Sequence, residues 1–314
     1  MDPELLTLLQ PLMAAADELP APAVGDVATR RERAVPFFAL LAAGREPADG
    51  VEVTSHVVTT ADGAELPLNW YAPTGSTPTG AGALYLHGGG MIYGLAETAA
   101  MYDSAVRGYV AASGVPMLTV DYRVAPEHSH PTPVEDCYAA LCWLAGHAAS
   151  LGVDPARLAV AGSSAGAALA AGLAQRCAEG ELPPIVGVLL HQPVLDDRPT
   201  ASKAEFATTP GFDGAAAQLM WRHYLGDTAP DAASVPARNH RLIDTPTTFI
   251  TCSELDPLRD EAVDYARRLM RCGVRTDLHV FGGTCHGFDS LRPEWAVSRA
   301  LFTMQCAALG RFFA

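Results

Sequence analysis

Two glycine-rich motifs supply the residue types that acyl transfer needs. The first runs from His87 to Gly90, and the second is the GSSAG sequence at 162–166. A serine hydroxyl becomes a nucleophile only where a base removes its proton, and flanking glycines allow the sharp strand-to-helix turn that exposes it. We therefore expect Ser164, at the centre of the motif, to be the nucleophile. The rival hydroxyl, Ser163, is expected to point away from the cleft.

The glycines of the first motif fit a second requirement, the binding of a developing oxyanion. Backbone N–H groups must point at the oxygen where negative charge appears, and glycine lets the backbone approach without a side chain in the way. We expect the N–H groups of Gly88, Gly89, Gly90 and Ala165 to form this oxyanion hole. His87 is expected to orient the loop by hydrogen bonding.

The general base must be a histidine placed after the serine, because the acid and then the base follow the nucleophile in chains with this motif. The candidates are His191, His223, His240, His279 and His286. Only His286 comes directly after the last predicted strand, in the sequence GGTCHGF. Its position selects it as the base, and the others are expected to be surface or structural histidines.

The acid should follow the strand before the base, where four carboxylates compete in the sequence SELDPLRDE at 253–261. Glu254 is too close to the strand end, and Asp260 and Glu261 fit the first turn of a helix. Asp256 lies on the loop before a proline, so we expect it to orient His286 and stabilise its protonated form.

The elements that must position these residues alternate between strands and helices. Residues 1–50 have helical patterning, residues 51–60 and 66–71 predict an antiparallel hairpin, and a linker at 72–82 follows. Short apolar runs then alternate with helical stretches, which predicts a mostly parallel sheet in an α/β fold. These runs are 83–86, 117–120, 158–161, 185–190, 247–251 and 276–281. We predict a catalytic domain of 51–196 and 243–314, with cap segments at 1–50 and 197–242, the latter holding a helix at 215–224.

Composition excludes several classes of partner. The chain has 314 residues, 49% of them hydrophobic, and a formal net charge of −14, so nucleic acids and anionic membranes would be repelled. Seven cysteines without a CxxC pair favour reduced thiols, and His128 and His130 lack further ligands at metal-binding spacing. We expect a small-molecule ester substrate, no metal, no cofactor and, in the absence of a long apolar run or leader signature, a cytoplasmic protein.

A further set of motifs makes the chain resemble the bacterial hormone-sensitive lipase family of carboxylesterases, from about residue 50 to the C-terminus. These are HGGG at 87–90, DYRVAPEH at 121–128, GSSAG at 162–166, DPLRDE at 256–261 and HGF at 286–288, in that order. The resemblance implies an α/β-hydrolase fold with a helical cap and ester hydrolysis without a cofactor. It also implies oxyanion donors at Gly89, Gly90 and Ala165, with Gly88 shaping the turn, and a homodimer formed through the edge strand at 276–281.

The function expected from these observations is hydrolysis of short- to medium-chain acyl esters through Ser164, His286 and Asp256, via an acyl-enzyme. Apolar side chains of the cap and site loops should line the pocket: Phe37, Phe38, Met91, Ile92, Tyr93, Phe212, Met220, Trp221 and Phe288. Two alternatives remain open at this point. One is a specialised amidase or deacetylase of a secondary metabolite, and the other is a non-catalytic small-molecule receptor on the same fold.

Overall fold

The structure is a computed structural model that describes residues 1–17, 22–23, 25–43, 47–75, 77 and 79–314. Parts of the predicted N-terminal segment 1–50 and of the predicted linker 72–82 lie outside the described residues. Within the described ranges, no helix combines the length and apolar character needed to cross a membrane.

A twisted eight-stranded sheet runs through the centre of the molecule. Its strands are β1 (Val51–Thr59), β2 (Glu65–Pro73), β3 (Gly80–Leu86), β4 (Met117–Val120), β5 (Val153–Ser163), β6 (Gly187–His191), β7 (Thr247–Leu255) and β8 (Thr276–Cys285). Their spatial order is β1-β2-β4-β3-β5-β6-β7-β8. β2 pairs antiparallel with β1 and with β4, and every other pairing is parallel.

The helices cover both faces of this sheet. They are α1 (Pro3–Asp17), α2 (Val27–Ala42), α3 (Leu95–Ser113), α4 (Thr132–His147), α5 (Ala165–Ala178), α6 (Ala201–Glu205), α7 (Gly214–Leu225), α8 (Arg259–Arg271), α9 (Phe288–Leu291) and α10 (Ala296–Phe312), with short 3-10 turns at Ala148–Leu151 and Pro236–Arg238. Apolar residues of α4, α5 and α8 pack on one face. Residues of α3 and α10 pack on the other, so the central strands are buried on both sides.

The α/β-hydrolase fold expected from the sequence is confirmed. The hairpin β1–β2, the parallel strands and the helix of the insertion all form, with the helix extended by one residue at each end to Gly214–Leu225. β8 is an edge strand, as the resemblance implied. Dimerisation through it stays a prediction.

The sheet brings the chemical residues together at one edge. β3, β5, β7 and β8 run parallel to their neighbours, so their carboxyl ends point the same way. Leu86 at the end of β3 pairs with Gly162 on β5, and Leu255 on β7 pairs with Cys285 on β8. Ligands of open α/β sheets bind outside such carboxyl ends. Ser164, Asp256 and His286 therefore each follow one of these strands directly, as does the glycine loop that begins at His87.

Candidate active site

Ser164 forms the turn between β5 and α5. Its backbone is strained, with φ 53° and ψ −116°, a conformation that residues other than glycine rarely adopt. A Cβ on Gly162 would overlap the backbone of Gly166, and a Cβ on Gly166 would overlap the carbonyl of Leu86. Glycine is therefore required at both flanking positions, and the Ser164 hydroxyl is lifted above the sheet edge.

A continuous chain of hydrogen bonds links three of the expected residues. Nδ1 of His286 is 2.8 Å from Oδ2 of Asp256, and Nε2 of His286 is 3.0 Å from Oγ of Ser164. Because an ionised carboxylate only accepts, Nδ1 must carry the proton, which leaves Nε2 as the acceptor for the serine hydroxyl. The geometry fits a base that can remove the proton of Ser164.

The surroundings of His286 tune its basicity. Burial alone would lower its pKa, but the charge and hydrogen bond of Asp256, together with the charge of Asp289, outweigh burial and raise the pKa above its usual value. Asp256 is itself fully buried, and its other oxygen accepts the N–H of Leu258 at 2.9 Å. A stronger base and a fixed ring orientation follow from this arrangement.

The three rival carboxylates have other partners. Glu254 accepts the N–H of Gly283 on β8 at 2.6 Å. Asp260 accepts a backbone N–H from the start of α6 at 2.8 Å. Glu261 is buried in an ion pair with Lys203 at 2.6 Å. All three hold the insertion or the edge strand in place, and Asp256 alone among the four contacts His286.

The glycine loop after β3 offers unpaired donors. In the described part of the chain, no hydrogen bond uses the N–H groups of Gly89, Gly90 or Ala165. Gly88 differs, because its N–H donates to the hydroxyl of Tyr102 at 2.7 Å. The expectation that Gly88 also supplies a donor is therefore wrong. Its role is to shape the turn, since a Cβ there would meet Tyr102 and the backbone of β5.

His87 supports this loop from below. Its Nδ1 lies 2.8 Å from the carbonyl oxygen of Gly88, and its ring stacks on Tyr122 with centroids 4.1 Å apart. Burial lowers the pKa of His87 to about 4. The ring is therefore neutral at pH 7 and donates from Nδ1, which agrees with the orienting role expected from the sequence.

A cavity of about 650 Å³ opens above Ser164 and His286. Its wall includes six of the apolar residues expected there: Phe37, Phe38, Ile92, Tyr93, Phe212 and Met220. Phe212 lies closest to the chemistry, with its ring centroid 5.1 Å from that of His286. The size and apolar lining suit a small organic substrate.

Three residues expected in the pocket belong to the core instead. Met91 has φ 61°, is 1% exposed and belongs to the main hydrophobic core. Trp221 is on the inner face of α7 and packs edge-on against Tyr224 with centroids 5.8 Å apart. Phe288 is fully buried and packs edge-on against Trp295. None of the three lines the cavity.

Three of the residues considered as rivals of Ser164 and His286 line the cavity, and two do not. Ser163 does contribute to the cavity wall, contrary to expectation. His191 also lines the cavity but is held by Thr251 at 2.8 Å and by Asp289 at 3.1 Å. His223 lies on the cavity wall at the end of α7. His240 and His279 are not part of it.

Several lining residues were missed by the sequence analysis. Arg30 and Leu41 on α2, Tyr102 on α3, Gln192 after β6, and Arg222 on α7 all contribute to the wall. Arg30 and Leu41 share a helix face with Phe37 and Phe38, so helical spacing could have found them. No local signal marks Tyr102 or Gln192, because tertiary packing alone brings them to the site.

Comparison with known proteins agrees with this fold. A family model described as an alpha/beta hydrolase fold matches residues 83–290. Esterase LipI of Mycobacterium tuberculosis is 38% identical over 209 residues, which is 65% of this chain and 64% of that protein. The crystal structure of esterase LipW from Mycobacterium marinum is 48% identical, with a TM-score of 0.85, and covers 91% of this chain and 90% of that one.

A structure described as a bacterial heroin esterase is 34% identical with a TM-score of 0.90, over 100% of this chain and 98% of that one. The family resemblance drawn from the motifs is thus confirmed by sequence and by three-dimensional similarity. The chain belongs to the α/β-hydrolase family of esterases and carboxylesterases, with its hormone-sensitive-lipase-like motifs intact.

Proposed function

We propose that the protein is a serine carboxylesterase that hydrolyses short- to medium-chain acyl esters through Ser164, His286 and Asp256. The observation that carries the proposal is the unbroken hydrogen-bonded chain from Asp256 to the Ser164 hydroxyl at the floor of the cavity. Gly89 and Gly90 line the same cavity, and no hydrogen bond within the described residues uses their N–H groups. Together these groups provide nucleophile, base and oxyanion donors for acyl transfer.

In the first half-reaction, Oγ of Ser164 attacks the ester carbonyl carbon while Nε2 of His286 takes the hydroxyl proton. Negative charge develops on the carbonyl oxygen and is stabilised by the N–H groups of Gly89, Gly90 and Ala165. Protonated His286 then gives its proton to the departing alkoxide oxygen, the C–O bond breaks, and an acyl ester on Ser164 remains. Asp256 stabilises the imidazolium throughout without accepting its proton.

In the second half-reaction, water takes the place of the alcohol. Nε2 of His286 removes a proton from the water, whose oxygen attacks the acyl carbon through the same oxyanion site. The carboxylic acid leaves as the proton returns to Oγ of Ser164. Ping-pong kinetics follow from this order.

The acyl chain length should be limited by the cavity. Its volume of about 650 Å³ falls within the range for small-molecule sites. Aromatic rings from α2 and from the insertion, Phe38 and Phe212 among them, close the wall around the floor. A chain of moderate length fits this enclosure, which supports a preference for short and medium esters.

The test is hydrolysis of p-nitrophenyl esters from acetate to palmitate by the parent protein and by Ser164→Ala. Loss of the nucleophile should reduce turnover by about 10⁴ to 10⁶. Ser163→Ala is the matched control, because it removes the neighbouring hydroxyl. Its turnover should fall by less than about tenfold.

Two outcomes would contradict the proposal. Retained activity in Ser164→Ala would mean that Ser164 is not the nucleophile. No ester hydrolysis by the parent protein across the whole series would contradict the esterase activity itself and favour an amide substrate.

A further inference from the structure

The outer wall of the cavity carries positive charge on the helix α2. Arg30 lines the cavity together with Phe37 and Phe38, and spacings of seven and eight residues put the three on one helix face. Arg30 is half-buried, and its Nε is fully enclosed with no hydrogen-bond partner in the described chain. An arginine nitrogen shut away from solvent without an acceptor is a costly arrangement.

The end of α7 adds to the same part of the wall. Arg222 and His223 occupy the last turn of this helix and both line the cavity. Nε2 of His223 is a second enclosed nitrogen that no acceptor within the described ranges satisfies. Among the described residues, Nε of Arg30 and Nε2 of His223 thus both lack a hydrogen-bond partner, and both residues line the same cavity.

These groups also act on one another electrostatically. Burial, followed by the positive charges of Arg222 and Arg30, lowers the pKa of His223. Burial and the negative charge of Glu97 raise the pKa of Tyr93, another residue of the wall, while the positive charges of Arg30 and Arg31 lower it. The cations therefore share one region of the cavity.

Three nearby carboxylates have other hydrogen-bond partners. Glu127 is paired with Arg31, to which it is joined at 2.8 Å. Asp213 lines the cavity but caps α7 by accepting the N–H of Ala216 at 2.8 Å. Asp26 caps α2 in the same way through Thr29 at 3.0 Å. Among the described residues, neither Arg30 nor Arg222 has an ion-pair partner within 4 Å.

We propose that Arg30, Arg222 and His223 form a subsite for a carboxylate carried by the ester substrate, away from the carbonyl that Ser164 attacks. This inference rests on the proposed esterase function and narrows its substrate class to esters with a free carboxylate. Two guanidinium groups and a neutral imidazole would supply the positive charge and the donors that a carboxylate needs. Phe37 and Phe38 would enclose the apolar part of the substrate between this subsite and Ser164.

The carboxylate could belong to the acyl part or to the alcohol part of the ester, and the experiment separates the two. One arm compares the p-nitrophenyl hemiester of glutaric acid with p-nitrophenyl valerate. The other compares 4-butyryloxybenzoate with 4-butyryloxybenzamide, where the charge sits on the leaving alcohol. In each arm the readout is the ratio of kcat/KM for the anionic ester to kcat/KM for the neutral ester.

Arg30→Gln should lower this ratio about tenfold in at least one arm, and Arg30→Lys should restore part of it because the charge is kept. The matched control is Arg271→Gln, at the exposed end of α8, which removes the same charge from the whole protein away from the cavity. The ratio should not change in the control. The arm in which the ratio falls identifies which side of the ester holds the carboxylate.

A binding measurement separates this inference from the esterase proposal. Calorimetry with Ser164→Ala and 4-butyryloxybenzoate or glutarate hemiester needs no turnover, and adding Arg30→Gln should weaken binding about tenfold. The inference is overturned if the ratio and the affinity both stay within twofold of their values in the protein with Arg30. It is equally overturned if Arg271→Gln lowers them as much, because net charge would then explain the effect. Tight, Arg30-dependent binding without hydrolysis would retain the subsite and refute the esterase proposal.

Discussion

The hydroxyl of Tyr102 is predicted to hold the oxyanion loop in its working position. It accepts the N–H of Gly88 at 2.7 Å, and the side chain is 9% exposed. Burial raises the pKa of Tyr102 to about 12, so the hydroxyl stays protonated at every working pH. Tyr102→Phe leaves the buried N–H of Gly88 without an acceptor and frees the loop that carries Gly89.

The expected losses of stability and of turnover in Tyr102→Phe are estimated separately. An unsatisfied buried N–H should lower the free energy of unfolding by about 1 to 3 kcal/mol. Removal of a whole oxyanion donor costs about 10²- to 10³-fold in kcat, which sets the upper limit for a loop that is only displaced. We therefore expect kcat to fall by about 10- to 100-fold, with a smaller change in KM because the donors act mainly in the transition state.

Tyr109→Phe is the matched control for this prediction. Tyr109 lies two turns further along α3, is 8% exposed, and donates to Oε1 of Gln305 at 2.7 Å, away from the cavity. Both variants should lose similar stability in urea titrations, but only Tyr102→Phe should lose turnover on p-nitrophenyl butyrate. The reasoning is refuted if the two variants have the same kcat, because the hydroxyl of Tyr102 would then be merely structural.

Two further substitutions test the charge interactions of His286 and Glu261. The kcat/KM of a neutral ester should rise with pH as His286 loses its proton, with a midpoint above the ordinary value of about 6.5 because its pKa is raised. Asp256→Asn should move that midpoint down and reduce kcat by about 10⁴. An unmoved midpoint in a pH–rate series would contradict the role given to Asp256. Burial raises the pKa of Glu261 to about 7 against the charge of Lys203, so Lys203→Met should lower the free energy of unfolding by about 3 to 5 kcal/mol, and adding Glu261→Leu should recover much of it. Equal instability of the single and double variants in chemical denaturation would show that lost packing, not an unpaired charge, is responsible.

The parts of the site that sequence could predict are those fixed by local backbone requirements. Gly162 and Gly166 are needed because any side chain there would overlap neighbouring backbone, and that need is visible as a motif. His286 and Asp256 could be placed because each follows a strand whose apolar run is easy to recognise. Chain order and strand ends were sufficient to bring the three residues of the hydrogen-bonded chain to one edge of the sheet.

The parts of the site that sequence could not predict depend on which face of a helix turns toward the cavity and on packing between residues far apart in the chain. Trp221 and Arg222 are adjacent on α7, yet the first is 3% exposed in the core and the second faces the cavity. Hydrophobicity suggested Trp221 for the pocket, but a helix turn of about 100° per residue puts neighbours on different faces. Met91 was also misplaced, because its hydrophobicity fits the core as well as a pocket, and it is 1% exposed in the core.

The difference between the average composition of the chain and the residues that line the cavity also bears on substrate selection. The net charge of −14 would repel an anionic ester at long range, and composition alone favours neutral or cationic ligands. Physiological salt, however, screens exposed charges beyond about 8 Å, whereas enclosed groups are screened far less. Arg30 is half-buried in the cavity wall, so a substrate that has entered meets its charge locally rather than the average of the surface. Under the proposed function, selectivity is set by which helix faces close over Ser164, while the chemistry is set by the strand ends beneath it.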